Sequence, residues 1–189
     1  MGLLGWWKGR NGRSDIARLD AWRSDWAAAV AAEDGARIAD LKRSLDELGL
    51  TPDDLEIELE MIDGLSELLA LAPRLRQGEL PVIETGHRVV GSDVCHFSAP
   101  ASIPDDAAQP SGRMILTGNR AIFAGGGRAT SIAWHKIAEI LQTDRDVLLV
   151  LHDRETAHRV RFNSFADALC GAALSRHLVR RARHRTACL

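Results

Sequence analysis

Cys95 and His96 are adjacent, and with His87 nearby they provide the residue types of a thiol nucleophile and its base. A cysteine protease or transferase needs that base within reach of the thiol and a donor site for the developing oxyanion. Adjacent residues of a strand point to opposite faces of a sheet, so His96 is badly placed to deprotonate Cys95. We therefore interpret Cys95 as a small core residue and predict that the chain is not an enzyme. A small enzyme or enzyme subunit that uses Cys95, His96 and His87 is the alternative.

The sequence supports neither a metal site nor a phosphate-binding loop. The histidines and Cys95 lack the C-x-x-C or H-E-x-x-H spacing of a zinc site, so neither a metal nor a cofactor is expected. Residues 125–127 are three glycines, but they lie between two predicted strands and not before a helix. They therefore lack the amide donors of a phosphate-binding loop, and a hairpin turn is the prediction.

The first thirteen residues contain leucines and tryptophans beside basic side chains, which is typical of a short interfacial membrane anchor. Indole rings suit the headgroup boundary, and the bases attract anionic lipid. The alternative is that the tryptophans fold back onto neighbouring helices or close a subunit contact. The predicted membrane- or partner-binding residues are Leu3, Leu4, Trp6, Trp7, Lys8, Arg10 and Arg13.

Charge is unevenly distributed along this chain of 189 residues, whose formal net charge is -2. Acids dominate residues 33–84, and from residue 176 onward the charged side chains are all arginine. No aromatic interleaving or base-reading motif accompanies those arginines, so no specific nucleic acid is expected and a solvated basic tail is the leading interpretation. Three cysteines without paired spacing favour a reducing cytoplasm. Within it, the predicted location is cytoplasmic with peripheral association at the inner face of the membrane.

Apolar residues at steps of three and four predict helices over residues 14–32, 35–48 and 51–72. Trp22 and Trp26 lie on the stripe of the first helix. The third helix has the clearest start, with Thr51 as its N-cap and Pro52 as its first residue. Its predicted inner face is Leu55, Leu59, Ile62, Leu65 and Leu69, and Pro73 is expected just beyond its end.

Beyond a predicted linker at residues 73–81, the hydrophobic period changes from 3.6 to 2. Two short strands are joined by Gly118-Asn119, residues that accept positive φ in a tight turn. After Trp134, Ile137 and Ile140 repeat at helical spacing. Asn163-Ser164 is expected to cap a last helix over residues 165–183. The predicted strands are 82–85, 87–97, 113–117, 120–124, one ending at Trp134, 147–151 and 158–162.

The run GRMILTGNRAIF at residues 112–123, followed by SIAWHKIAEI at 131–140, resembles the bacterial GRAM/PH-like domains. The resemblance covers about residues 87–181. It implies a bent antiparallel sheet closed at one end by a C-terminal helix, with a surface for lipids or proteins. Lipid-binding members hold phosphates with bases in the loop between the first two strands. Here that loop, residues 99–111, contains Asp105 and Asp106 and no base, so inositol phosphates are not expected there.

These observations predict an α+β chain: a helical arm or bundle (1–72), a linker (73–81) and a GRAM/PH-like domain with a basic tail (82–189). We expect a non-catalytic binding or scaffold module. It would dock through its acidic, leucine-striped helices to a protein partner or to its own copy, with Trp22 and Trp26 as candidate contacts. Its basic ends would hold it near an anionic membrane surface. A regulator that binds nucleic acid through the basic tail is a further alternative.

Overall fold

The computed structural model describes residues 3–108, 110–153 and 155–187, with side chains described between residues 15 and 185. The chain forms two compact units, Met1–Leu69 and Ala70–Leu189. Within the described residues the fold is α+β: helices at the N-terminus, a seven-stranded antiparallel sheet and a C-terminal helix. The fold class predicted from the sequence is confirmed.

The first unit is helical. Its elements are α1 (Leu3–Ala32), α2 (Arg37–Asp46), a 3-10 turn (Pro52–Leu55) and the first part of α3 (Glu56–Arg76). The prediction that the first helix starts at residue 14 is wrong, since α1 begins at Leu3. Ser14 and Asp15 favour caps, but their cost inside a helix is only a few tenths of a kcal/mol, about 0.5 each, so they do not end it.

The start and end of the third helix differ in how well they were predicted. Thr51 is an N-cap as predicted, but of the 3-10 turn that precedes α3, and the Asp54 carboxylate accepts hydrogen bonds from the Thr51 amide at 3.3 Å and hydroxyl at 2.7 Å. At its end α3 continues through Pro73 to Arg76, against the prediction. Leu75 is buried in the core of the second unit, and this burial offsets the amide hydrogen bond that Pro73 cannot make.

The second unit is built on one sheet with the strand order β4-β3-β2-β1-β7-β6-β5. Every described strand pair is antiparallel, and β4 and β5 are the two edges. The C-terminal helix α4 (Phe165–Ala187) follows the last strand. The strands are β1 (Cys95–Ser102), β2 (Ser111–Thr117), β3 (Arg120–Gly125), β4 (Arg128–Ala133), β5 (Ile137–Thr143), β6 (Asp146–Leu151) and β7 (Ala157–Phe162).

The β2–β3 and β3–β4 turns of this sheet were located correctly, although the first has a different conformation. Gly126 and Gly127 both have positive φ, +59° and +73°, as a two-residue type I′ hairpin requires. The predicted turn at residues 125–127 is therefore confirmed. Gly118 and Asn119 do not take positive φ. Instead the Thr117 hydroxyl accepts hydrogen bonds from the Asn119 and Arg120 amides, which closes the β2–β3 turn without strain.

Two of the predicted strands and one helical pattern are wrong. Residues 82–85 form no strand, although the Ile83 amide donates to the Cys95 carbonyl at 2.9 Å. The predicted strand at 87–97 is replaced by a 3-10 turn (Arg88–Val90) before β1. Ile137 and Ile140 lie on β5, where a bulge between Ile137 and Glu139 lets both side chains face the core. A spacing of three residues on a bulged strand thus imitates a helix.

The main core of the second unit lies between the sheet and α4, where Trp134, Leu149, Leu174 and Leu178 are buried. Trp134 is 1% exposed and its indole donates to the Thr117 carbonyl at 2.8 Å. The residue is therefore part of the core. A smaller cluster of Val90, Cys95, Ile115 and Ile122 fills the other face of β2 and β3.

A buried carboxylate, that of Asp146, joins the last two strands of the sheet. Arg161 lies directly opposite on β7 and donates to both carboxylate oxygens, at 2.8 and 2.9 Å, while Arg159 Nε donates at 2.9 Å. The hydrogen bond from Arg161 is the main cause that lowers the pKa of Asp146 below its ordinary value of 3.8, and burial opposes this shift. The charged form is thus favoured in the folded state.

Asp146→Asn is expected to lower the free energy of unfolding at pH 7 by about 1–2 kcal/mol, because it removes the charge that both arginines bind. A carboxylate whose pKa falls on folding stabilises the protein above its unfolded value and loses that contribution as the pH drops through the folded value. The difference between the variant and the unmodified protein should therefore shrink as the pH falls from about 5 towards 2. Urea unfolding across this range measures it, and a difference that stays constant would contradict the assignment.

Candidate anion-docking surface

The C-terminal helix α4 packs closely on the sheet because one side of it is made of small and apolar residues. The Ser164 hydroxyl accepts a hydrogen bond from the Asp167 amide at 3.1 Å and caps the helix start, as predicted. A Cβ on Gly171 would lie 3.2 Å from the Phe162 ring, so the helix and β7 approach closely there. Ala168, Ala172, Leu174, Ser175, Leu178 and Val179 are buried on this side.

The opposite side of the last three turns of α4 is basic. At 100° per residue its Arg and His positions cover an arc of about 200°, and no other residue type occurs in that arc between residues 176 and 185. The helix contains five arginines and one aspartate, Asp167 near its start. We call this surface the α4 basic face; it comprises Arg176, His177, Arg180, Arg181, Arg183, His184 and Arg185.

Two of these arginines are fixed to the neighbouring edge strand. Arg176 Nε donates to the Ile140 carbonyl at 3.2 Å. Arg183 donates to the carbonyls of Ile137, at 3.4 Å, and Ala138. Both side chains therefore cap carbonyl groups on β5 and hold α4 along this edge.

The other three arginines of the face are exposed and have no carboxylate partner among the described residues. The ion pairs of the described side chains do not include Arg180, Arg181 or Arg185. Other arginines have carboxylate partners, for example Arg23 with Glu58 and Arg161 with Asp146. Among the described residues of the second unit, Arg88 and Arg128 are also exposed without an ion pair, but only α4 carries three such arginines on one face.

Burial and neighbouring positive charges lower the pKa values of two residues on α4. Partial burial, and then the positive charges of Arg180 and Arg181, lower the pKa of His177 below 6.5. Burial, followed by the charge of Arg180, likewise lowers the pKa of Arg176 from its ordinary value.

The arrangement is suited to binding several anionic groups at a surface and not one small molecule in a pocket. Guanidinium groups bind phosphate and carboxylate oxygens through two parallel hydrogen bonds. The α4 basic face is a convex helix side, and the described part of it carries no Phe, Tyr or Trp on which a nucleic-acid base could stack. Its chemistry is therefore that of multivalent contact with a negatively charged surface.

The structure describes the side chains of the predicted tryptophan contacts, but not those of the predicted N-terminal site. Leu3, Leu4, Trp6, Trp7, Lys8, Arg10 and Arg13 lie along α1, but their side chains are outside the described residues, as are Met1 and Gly2 entirely. Trp22 and Trp26 are 4% and 6% exposed, and their indoles donate to the carbonyls of Leu41 and Met61 at 2.9 and 2.7 Å. Both tryptophans hold α1 to the other helices of the first unit instead of facing a partner.

The residues of the alternative enzyme are not brought together as a nucleophile and base. Cys95 is buried, and its thiol donates to the Phe97 carbonyl at 3.4 Å. Burial raises the pKa of this thiol above 9.0, which keeps it protonated. His96 Nδ1 lies 2.7 Å from the Pro81 carbonyl oxygen, and His87 is exposed. Within the described residues, no cluster of His, Cys, Asp and Glu has the geometry to hold a metal ion.

No family model and no curated protein matches the chain. About half of the chain is similar to several solved structures. The C-terminal domain of an unknown protein from Leishmania infantum is 13% identical with a TM-score of 0.41, over 48% of this chain and 89% of that one. Inner Membrane Complex Sub-compartment Protein 3 from Toxoplasma gondii is 15% identical with a TM-score of 0.36, over 46% and 76%.

The complex of the FERM and C-terminal domains of Drosophila Merlin is 12% identical with a TM-score of 0.36. The match covers 47% of this chain and 32% of that one. At these values none of the three bears on function, which is argued from the residues of this chain alone. In the described part of the chain, no helix is both long enough and apolar enough to cross a membrane.

Proposed function

We propose that this chain is a non-catalytic binding module whose second unit, a GRAM/PH-like domain, associates peripherally with an anionic membrane surface. The observation that carries the proposal is the set of three exposed, carboxylate-free arginines on the α4 basic face. The antiparallel sheet and the C-terminal helix that follows it support the family assignment, since the resemblance implies such a sheet and helix.

The energetics favour a lipid surface as the anion. Each Arg or Lys near an anionic leaflet contributes roughly 1 kcal/mol, so Arg180, Arg181 and Arg185 together supply about 3 kcal/mol. The loop between β1 and β2 cannot substitute for them, because Asp105 in that loop already faces Arg159 at 3.6 Å and no base follows it. The inner leaflet is the surface we propose, since anionic lipid is concentrated there.

Co-sedimentation with vesicles tests this function. The full chain and a variant that begins at Ser14 are compared on phosphatidylcholine alone and on phosphatidylcholine mixed with phosphatidylserine. We expect both proteins to bind only the anionic vesicles, with weaker binding as salt rises from about 50 to about 300 mM. The shorter variant reports how much Trp6, Trp7 and their neighbouring bases add. Equal binding to both vesicle types, or no binding by the full chain, would overturn the proposal.

A further inference from the structure

The two edge strands of the sheet, β5 and β4, differ in the hydrogen bonds they accept from the rest of the second unit. On β5, the carbonyls of Ile137, Ala138 and Ile140 are capped by arginines of α4. On β4, no described hydrogen bond reaches the strand from outside the sheet, and residues 128–131 are exposed. An edge strand with free amides and carbonyls is a template for another strand.

The register of the β3–β4 hairpin determines which groups of β4 are free. Gly125 pairs with Arg128 around the two-residue turn, and Phe123 pairs with Thr130. In such a hairpin these are the hydrogen-bonded pairs, and the Trp134 amide continues the series by donating to the Asn119 carbonyl at 3.2 Å. The amides and carbonyls of Ala129, Ser131 and Ala133 therefore point away from β3.

We propose that β4 pairs with β4 of a second copy of this chain, antiparallel and centred on Ser131. This alignment places Ser131 opposite Ser131 and Ala129 opposite Ala133, so all six free amide groups find carbonyl partners, about six hydrogen bonds in total. The two exposed Ser131 hydroxyls can also bond each other across the axis. The joined sheets would form one continuous antiparallel sheet through both protomers.

The composition of β4 is compatible with pairing to a second copy. The strand has no lysine, proline, acid or bulge, which are the usual devices that block an edge. Its single charge, Arg128, lies at one end. In the antiparallel alignment the two Arg128 residues are about six positions apart, roughly 20 Å, which is beyond the Debye length in physiological salt. Self-pairing therefore does not bring the two Arg128 side chains together.

Sedimentation velocity on the full chain at increasing concentration tests the proposal. We expect a reversible dimer, and Ser131→Pro should raise its dissociation constant at least tenfold. Proline removes an outward amide there without removing a hydrogen bond to β3. Ser131→Ala is the matched control, because it keeps the amide and should change the dissociation constant less than threefold. A full chain that stays monomeric would overturn the proposal and leave the edge for a strand of another protein.

A charge exchange at the same position keeps the test decisive if the proline variant does not fold. Ser131→Lys and Ser131→Glu each place two like charges on the proposed axis, so each alone should be monomeric. Mixed in equal amounts, the two variants should form a heterodimer. Two results would exclude a two-fold contact centred on Ser131. In one, each variant alone dimerises as strongly as the unmodified chain; in the other, the two variants form no heterodimer when mixed.

Discussion

Replacing Arg180, Arg181 and Arg185 by glutamine is expected to weaken binding to phosphatidylserine-containing vesicles by roughly 100-fold. The three side chains are exposed and have no carboxylate partner among the described residues, so their charge is available to lipid headgroups. At roughly 1 kcal/mol per base, losing three removes about 3 kcal/mol of binding free energy, and 1.4 kcal/mol corresponds to a factor of ten. Vesicle co-sedimentation at low and high salt measures the loss.

A variant of equal charge change on the other unit provides the control. Arg37, Lys42 and Arg43 are exposed in or at the start of α2, and replacing all three by glutamine alters net charge by the same amount. We expect binding to change by less than about threefold, since long-range charge effects are screened. Equal losses in both variants would show that net charge, not the α4 basic face, determines binding. No loss in either would rule out α4 as the docking surface.

Arg23→Ala is expected to destabilise the first unit by about 3 kcal/mol, because it leaves the buried carboxylate of Glu58 without its cation. The Glu58 side chain is 2% exposed, and one of its oxygens accepts from Arg23 Nε at 2.9 Å and from the guanidinium NH2 at 2.6 Å. Denaturant unfolding followed by tryptophan fluorescence measures the change, since Trp22 and Trp26 lie in the core of that unit.

The double variant Arg23→Met with Glu58→Leu separates the effect of the lost pair from that of an unpaired charge. Replacing a buried ion pair by apolar side chains of similar size is often neutral. We therefore expect the double variant to regain most of the stability that Arg23→Ala loses. A single variant that costs less than about 0.5 kcal/mol, within the range of ordinary surface substitutions, would show that Glu58 is satisfied without Arg23.

Glu58 also shows why the inner face of the third helix was only partly predicted. Leu55, Ile62 and Leu65 are buried as expected, but Leu59 is 43% exposed and Glu58 takes a core position. A hydrophobic pattern assigns a charged residue to the surface by default. The residue that makes its burial tolerable, Arg23, is 35 positions away, and no local pattern connects the two.

The β2–β3 and β3–β4 hairpins were predictable because a two-residue turn between apolar strands is a local signal. The bulge on β5 was not predictable from the sequence. Its extra residue changes which side chains share a face of the strand, so the hydrophobic spacing there is that of a helix. The basic residues of α4 were visible as a run of arginines. Their division into two that bind carbonyls on β5 and three that remain exposed depends on the neighbouring strand, which the run itself does not contain.

The burial of Leu75 has a practical consequence for dissecting the protein. A fragment that begins at residue 82, the boundary that sequence periodicity suggests, would omit Leu71, Leu75 and Leu80, all of which pack with the core of the second unit. It would expose the apolar surface that they cover and would be prone to aggregate. A fragment intended to isolate the sheet and α4 should therefore begin no later than Ala70.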